Sequence, residues 1–237
     1  MLLIRKGTEP ASLTKYRAGK WNPIEKQGIQ PTYADMPTEI KDEIRKKLLE
    51  EQGCLCAYCM RRLEAIEDVK IEHWEPEKDL DEDGKLAYGN MLGVCYGRKE
   101  AVGSYSGREY ETCDQRRGSL PLTVDPRSQT SILKITYKSG SGEISSKDPT
   151  IKKDLTDTLN LNCRAPHFLP ENRKAVLDSV IQLLNRKAGK NGEWTRSEME
   201  KVKKIYETRN EKGQLREYAG IVLWFIDSRL SRGKHAV

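Results

Sequence analysis

Long apolar runs are missing from this 237-residue chain. A membrane-spanning helix needs about 18 or more consecutive apolar residues, so none is expected. The apolar part of Met1-Leu2-Leu3-Ile4-Arg5-Lys6 is too short for a secretory signal peptide, and the default address is the cytoplasm. No internal repeat and no long low-complexity tract occurs. Histidine is scarce: the chain has three, and His167 and His235 lie in no recognisable motif. Imidazole chemistry, if there is any, therefore centres on His73. With 36% hydrophobic and 33% charged residues and a mean hydropathy of −0.75, the chain is polar but can still bury a modest core.

The net charge of +6 is unevenly placed. Residues 164–237 hold 16 Lys and Arg against 9 Asp and Glu, whereas the first 163 hold 26 against 27. A basic third beside a near-neutral remainder can meet phosphate backbones. Taken alone, it reads as a solvated helical surface.

Local patterns divide the chain into three parts. Residues 1–35, broken by Gly7, Pro10, Gly19, Pro23, Gly28 and Pro31, read as an extended N-terminal arm. Residues 36–130 open with Ile40, Ile44, Leu48 and Leu49 at helical spacing, with Gly53 as the stop. A short strand follows over 69–73, and a polar loop with Gly97, Gly103 and Gly107 separates Cys95 from Cys113. Residues 131–237 begin with a hairpin, Ile132 to Tyr137 turning through Ser139-Gly140-Ser141-Gly142 into Ile144. They continue with a helix carrying Val176, Val180, Leu183 and Leu184, then the capping box Thr195-Arg196-Ser197-Glu198. The last helix contains Ile221-Val222-Leu223-Trp224-Phe225-Ile226, apolar all round and so either buried or an interface.

Most of the chemistry-bearing residues fall between Cys54 and Gly118. Cys56-Ala57-Tyr58-Cys59 has the spacing that places two sulfurs on one metal ion, and in a cytosolic chain such a pair favours metal over disulfide. Cys95 and Cys113 would complete a tetrahedral zinc site, their long separation being the weak point. Cys54 could stand in for Cys56, with poorer geometry, and Cys163 has no evident partner. Four thiolates leave zinc no open position for water, so this ion would be structural, holding together a unit too small to bury enough surface by itself. Between the cysteine pairs lie Ile71-Glu72-His73-Trp74-Glu75-Pro76 and Asn90. A neutral imidazole can take a proton from water near pH 7. A carboxylate can hold a hard divalent cation against a phosphodiester. Glu72 and His73 would face opposite ways on a regular strand, and a bend at the strand end would let both serve one site. Asp114, directly after Cys113, is a second metal ligand or a helix-capping acid. Arg116 and Arg117 are candidate phosphate contacts or plain surface charge.

This segment resembles the HNH, or ββα-metal, endonucleases. The resemblance implies an α+β fold with a zinc-stapled ββα core, flanking helices and a C-terminal helical region. It implies His73 as general base, Glu72 and Asp114 as ligands of a catalytic Mg²⁺ or Mn²⁺, and Asn90 as the brace of the catalytic loop. Asp114 departs from the family's usual final His or Asn. A narrower likeness rests on Ile4-Arg5-Lys6-Gly7 with Pro10, Gln52 to Cys59, Ile71 to Pro76, Cys113-Asp114 with Gly118, Pro121 to Pro126, and Leu159-Asn160-Leu161-Asn162. Together these resemble the PtuB-type nucleases of Septu anti-phage systems and certain retrons. That likeness implies a PtuA-like ATPase of the ABC/SMC kind as partner, a DNA or RNA substrate, and in a retron a reverse transcriptase with its multicopy DNA. It fades after about Val180, where the tail would suit partner docking. The alternatives are a stand-alone restriction-like HNH enzyme and a zinc-stabilised nucleic-acid-binding adaptor without catalysis.

Overall fold

A computed structural model describes residues 1–22, 27–97, 105, 107–188 and 192–232. Much of the polar loop between Cys95 and Cys113, and His235, therefore lie outside the described residues. The architecture is mixed α+β, with short helices around three two-stranded antiparallel ribbons.

The N-terminal part is not the extended arm that its glycines and prolines predict. Helix α1, Ala11–Arg17, buries Leu13, and strands β1, Lys20–Asn22, and β2, Gln27–Ile29, which follow it in the chain, pair with each other. Pro10 sits just ahead of the helix, where a missing N–H costs nothing, and Gly19 leaves it at φ 73°. The breakers mark the ends of a short element here; they do not exclude one.

Helix α2, Thr38–Gln52, ends at Gly53 in the left-handed conformation, as its spacing predicts, and buries Ile44, Leu48 and Gln52. Strand β3, Lys70–His73, pairs with β4, Met91–Val94, setting Glu72 opposite Leu92 and His73 opposite Met91. Between them lies the one-turn helix α3, Glu82–Lys85. Gly93 lets α2 lie directly on β4: a Cβ there would stand 3.2 Å from both Leu48 Cβ and Gln52 Nε2. Gln52 uses that closeness, accepting from Gly93 N–H at 2.7 Å and donating to Gly93 C=O at 2.6 Å. Helix α4, Cys113–Arg117, follows, so the order around the candidate site is strand, strand, helix.

Beyond it, Ser128 caps a short helix α5, Gln129–Leu133, which absorbs the first residues expected in the hairpin; β5, Ile135–Tyr137, and β6, Ile144–Ser146, form the hairpin itself. Helix α6, Pro149–Lys153, then leads to three longer helices: α7, Leu169–Arg186, α8, Arg196–Glu207, and α9, Ala219–Arg232. Thr195 accepts from Glu198 N–H at 3.2 Å, as its capping pattern predicts. In α9, Ile221, Val222, Phe225 and Ile226 are buried in the chain's own core, while Leu223 and Trp224 are half-buried. The apolar run is thus chiefly a cap on this core.

One main hydrophobic cluster runs from Met1 and Ile4 through Tyr58, Val94 and Leu122 to Ile226. The boundaries at 35/36 and 130/131 therefore do not coincide with breaks in the core. A smaller cluster of Leu13, Met36, Ile44, Leu48, Ile71, Leu86, Tyr88 and Met91 joins α1 and α2 to the β3–β4 ribbon. The Leu159-Asn160-Leu161-Asn162 stretch fastens distant parts. Leu159 C=O accepts from Cys113 N–H, the Asn160 amide donates to the carbonyls of Glu109 and Glu111, and Asn162 pairs with both backbone groups of Ile144. No helix among the described residues is long and apolar enough to cross a membrane.

Candidate metal centre and adjoining cleft

Cys56, Cys59, Cys95 and Cys113 are buried, and their four sulfurs lie within 4.8 Å of one another. With Zn–S bonds of about 2.3 Å, sulfurs at the corners of a tetrahedron stand about 3.8 Å apart. The Cys59–Cys95 and Cys56–Cys113 separations are 3.8 and 3.9 Å. A disulfide would require about 2.05 Å, and all six cysteines are free thiols. The set suits a soft divalent metal ion held by four thiolates.

The long gap before Cys113 closes through backbone pairing. Thr112 N–H donates to Gly97 C=O at 3.0 Å, and Gly97 has φ 67° with its Cα so near that a Cβ would meet Thr112 O at 1.8 Å. This clasp returns the chain to within reach of Cys95. Cys56 lies in a tight loop where Met60 N–H donates to Cys56 C=O and Cys56 N–H to Arg61 C=O, both at 3.0 Å. Cys54 is outside the cluster, and so is Cys163, whose thiol faces the Ala165 carbonyl and is pushed up by burial.

The sulfurs depend on one another and on a cation. Hydrogen bonds from Cys113, Cys56 and Cys95 hold the Cys59 thiol well below the usual range, while the bonds to Cys56 and Cys59 push Cys113 well above it. Arg61, missed in the sequence, lies beside them. Burial works against its guanidinium, but the charges of Cys59, Cys95 and Cys113 outweigh that and raise its pKa. Arg61 Nη2 stands 3.1 Å from His167 Nδ1, and His167 Nε2 donates to Tyr110 C=O at 2.8 Å. His167, which lies in no motif, is thus a buried strut beside the arginine that faces the thiolates.

The β3–β4 ribbon carries the second group. Glu72, His73 and Asp114 all line one open cleft of about 410 Å³, with Lys70, Glu77 and Arg117. His73 is buried at 3% exposure, its ring edge-on to Tyr33 at 4.7 Å. Its Nε2 is 2.7 Å from Lys85 C=O. A carbonyl only accepts, so Nε2 is the nitrogen that donates there. Nδ1 has no aligned hydrogen bond, although Glu77 Oε1 lies 3.2 Å away. Asn90 fixes the turn beyond β3: its Oδ1 accepts from Glu75 N–H at 2.9 Å and its Nδ2 donates to Glu75 C=O at 3.1 Å.

Both carboxylates of the cleft face cations supplied by the chain. Asp114, 7% exposed and so not a solvent-facing cap, accepts from Lys70 Nζ at 2.6 Å. Glu72 accepts from Arg117 Nη1 and, at 3.2 Å, from the Tyr58 hydroxyl. Burial pushes the Glu72 carboxyl up to about 7; the Arg117 charge opposes this, and a hydrogen bond shared with Asp114 reinforces it. Among the described residues, the four cysteines are the one place where three or more potential ligands converge. A hard cation in the cleft would rest on Glu72 and Asp114, completed by water and substrate oxygens.

The two candidate phosphate-binding arginines are engaged by the protein itself. Arg117 is 1% exposed and also donates to the carbonyls of His73 at 2.8 Å, Trp74 at 2.6 Å and Leu120 at 2.8 Å. It locks α4 against the end of β3, which corrects the expectation of a phosphate contact. Arg116 ties the carbonyls of Asp157 and Arg108 together at 3.1 and 2.7 Å. Lys70 and Glu77, which sequence reasoning passed over, had a signal in their spacing. Lys70 is two residues before Glu72 on one strand face, and Glu77 is four after His73, just past Pro76. No known protein-family model matches the chain, and no curated protein matches it significantly.

Proposed function

We propose that this chain is a metal-dependent nuclease of the HNH kind, with zinc on Cys56, Cys59, Cys95 and Cys113 as a structural staple. The observation that carries the reading is the imidazole of His73, buried at a strand end with Nε2 tethered to a carbonyl and Nδ1 facing the Glu77 carboxylate, in the same cleft as Glu72 and Asp114. Nδ1 would accept the proton of the attacking water, and the Lys85 carbonyl would stabilise the imidazolium that results. Glu72 and Asp114 would hold Mg²⁺ or Mn²⁺, which when bound neutralises charge on the scissile phosphate and leaving oxygen. Lys70 and Arg117 pair with these carboxylates; Lys70 is exposed enough to swing aside, and Arg117 would remain as the support of Glu72. Asn90 braces the turn that sets the angle of His73.

The PtuB likeness extends the proposal to an anti-phage effector working in the cytoplasm with a PtuA-like ATPase, and in a retron with a reverse transcriptase and its multicopy DNA. The buried Arg117–Glu72 pair favours the second reading, a zinc-stabilised nucleic-acid-binding protein in which Glu72 is structural. Incubating zinc-loaded protein with plasmid and RNA, with and without Mn²⁺, separates the two. The nuclease reading predicts cation-dependent cleavage that Asp114→Asn weakens at least tenfold; no cleavage under any cation supports the adaptor. Co-purification with an ATPase encoded beside it tests the partnership, and a chain that cuts at full rate alone would mark a stand-alone enzyme.

A further inference from the structure

A larger cavity of about 810 Å³, sharing no lining residue with the cleft, is lined by Arg62 of the loop after Cys59 and by residues 187–217. Its wall is made of Arg62, Lys187, Lys201, Lys204, Arg209 and Arg216, with Glu217 the one carboxylate among the lining residues. The cations come from four places: the loop after Cys59, the residue after α7, the face of α8, and the 208–217 segment. Lys201 and Lys204 stand three apart on α8 and share a face.

Little of this charge is neutralised. Arg62 donates to the carbonyls of Gly53, Cys54 and Leu215, and Arg209 to those of Glu50, Glu51 and Gly213. These bonds fix both guanidiniums in place without cancelling their charge. Glu217 accepts from the Arg62 backbone N–H at 2.8 Å. Lys187 and Lys201 share the single carboxylate of Glu198. Arg216 lies 5.7 Å from the Tyr206 ring, and Lys204 has no side-chain partner among the described residues. Two guanidiniums held in place by carbonyls, beside the exposed Lys201, Lys204 and Arg216, make a groove suited to a polyanion.

The wall is also tied to the metal staple. Leu215 N–H donates to Gly53 C=O at 3.0 Å, and Tyr218 N–H to Met60 C=O at 3.3 Å. Ile205, 43% exposed, and Leu215 place apolar surface among the cations. A single strand presents phosphates and bare base faces together, which a duplex does not. Cations spread over four segments fit successive phosphates better than the one convergent phosphate group of a mononucleotide.

We propose that this cavity binds the sugar-phosphate backbone of a single-stranded nucleic acid. The choice of nucleic acid among polyanions rests on the nuclease reading; the cavity does not depend on the catalytic assignment. The test therefore uses zinc-loaded His73→Gln protein and measures binding, not cleavage. Fluorescein-labelled single-stranded DNA, single-stranded RNA and a duplex of equal length are titrated by anisotropy from 50 to 200 mM KCl. One variant adds Lys201→Ser, Lys204→Ser and Arg216→Ser, all exposed positions. A control of equal charge instead carries Lys46→Ser, Lys152→Ser and Lys153→Ser. The expected result is single-strand binding weakened about tenfold or more by the cavity variant, with the salt slope reduced by about 2, and little change in the control. Equal losses in both variants, or binding that the cavity variant leaves intact, overturn the proposal. So does displacement of the strand by ATP or pyrophosphate at strand-equivalent concentrations, which would assign the cavity to a small phosphoanion.

Discussion

At the scale of single residues, the site is governed by how each charge is compensated. Arg117 is buried with Glu72 as its carboxylate partner, and its other donors reach carbonyls at the end of β3 and beyond α4. Removing the guanidinium leaves the Glu72 carboxyl and the buried carbonyls of His73, Trp74 and Leu120 without their donor, at a cost of about 3–5 kcal/mol in all. Arg117→Ala is therefore expected to lower stability by about that amount in denaturant unfolding; a change under about 1 kcal/mol would show that the pair is dispensable. Glu72 links the site to pH. Its folded value, near 7, lies above the ordinary carboxyl value, so between the two values the folded chain holds a proton that the unfolded chain releases. Its contribution to stability is thus present below the ordinary value and lost as pH rises through about 7. A divalent cation must displace that proton, so Mn²⁺ should bind zinc-loaded protein more tightly at pH 8 than at pH 6. Paramagnetic relaxation of water reads this directly, and affinity independent of pH would remove Glu72 from the ligand set.

At the scale of elements, the arrangement is two strands and a helix pinned at their ends by sulfur. Cys56 and Cys59 precede β3, Cys95 directly follows β4, and Cys113 opens α4. A metal on these sulfurs would join the loop before β3, the end of β4 and the start of α4 in a unit whose ribbon has only four residues per strand. Cys59→Ser is expected to release the metal in a colorimetric zinc assay and to lower the melting temperature sharply; unchanged thermal stability without metal would contradict a structural staple. Much of this was legible in the sequence. Cys56 and Cys59 announce themselves by spacing, and α2 and β3 by periodicity. Cys95 and Cys113 complete the set as the sequence suggests, but how their long separation closes is not legible, because it depends on the backbone clasp between Gly97 and Thr112, which no side-chain pattern encodes. Helix α1 was hidden because its flanking Pro10 and Gly19 look the same at the ends of an element as in a loop. Arg117 reads as surface charge from its neighbours, and only the docking of α4 against β3 buries it. Lys70 and Glu77 become visible once β3 and the turn after it are in place.

At the scale of the whole molecule, the cleft and the basic cavity are built on one continuous core. The cluster running from Met1 to Ile226 makes the C-terminal helices part of the same body as the metal centre, and α9 caps that body with most of its apolar run. The excess positive charge of the last third is concentrated where α8 and the 208–217 segment meet the cysteine loop. The central claim remains the role of one imidazole. In His73→Gln the side-chain amide can still donate to the Lys85 carbonyl, as Nε2 does, but no basic nitrogen is left at the position of Nδ1. The decisive measurement is the single-turnover cleavage rate of the wild type and this variant, both zinc-loaded, equally folded and saturated with Mn²⁺. A loss of about 10²–10⁴-fold is predicted for a missing general base; equal rates in the two proteins would contradict it.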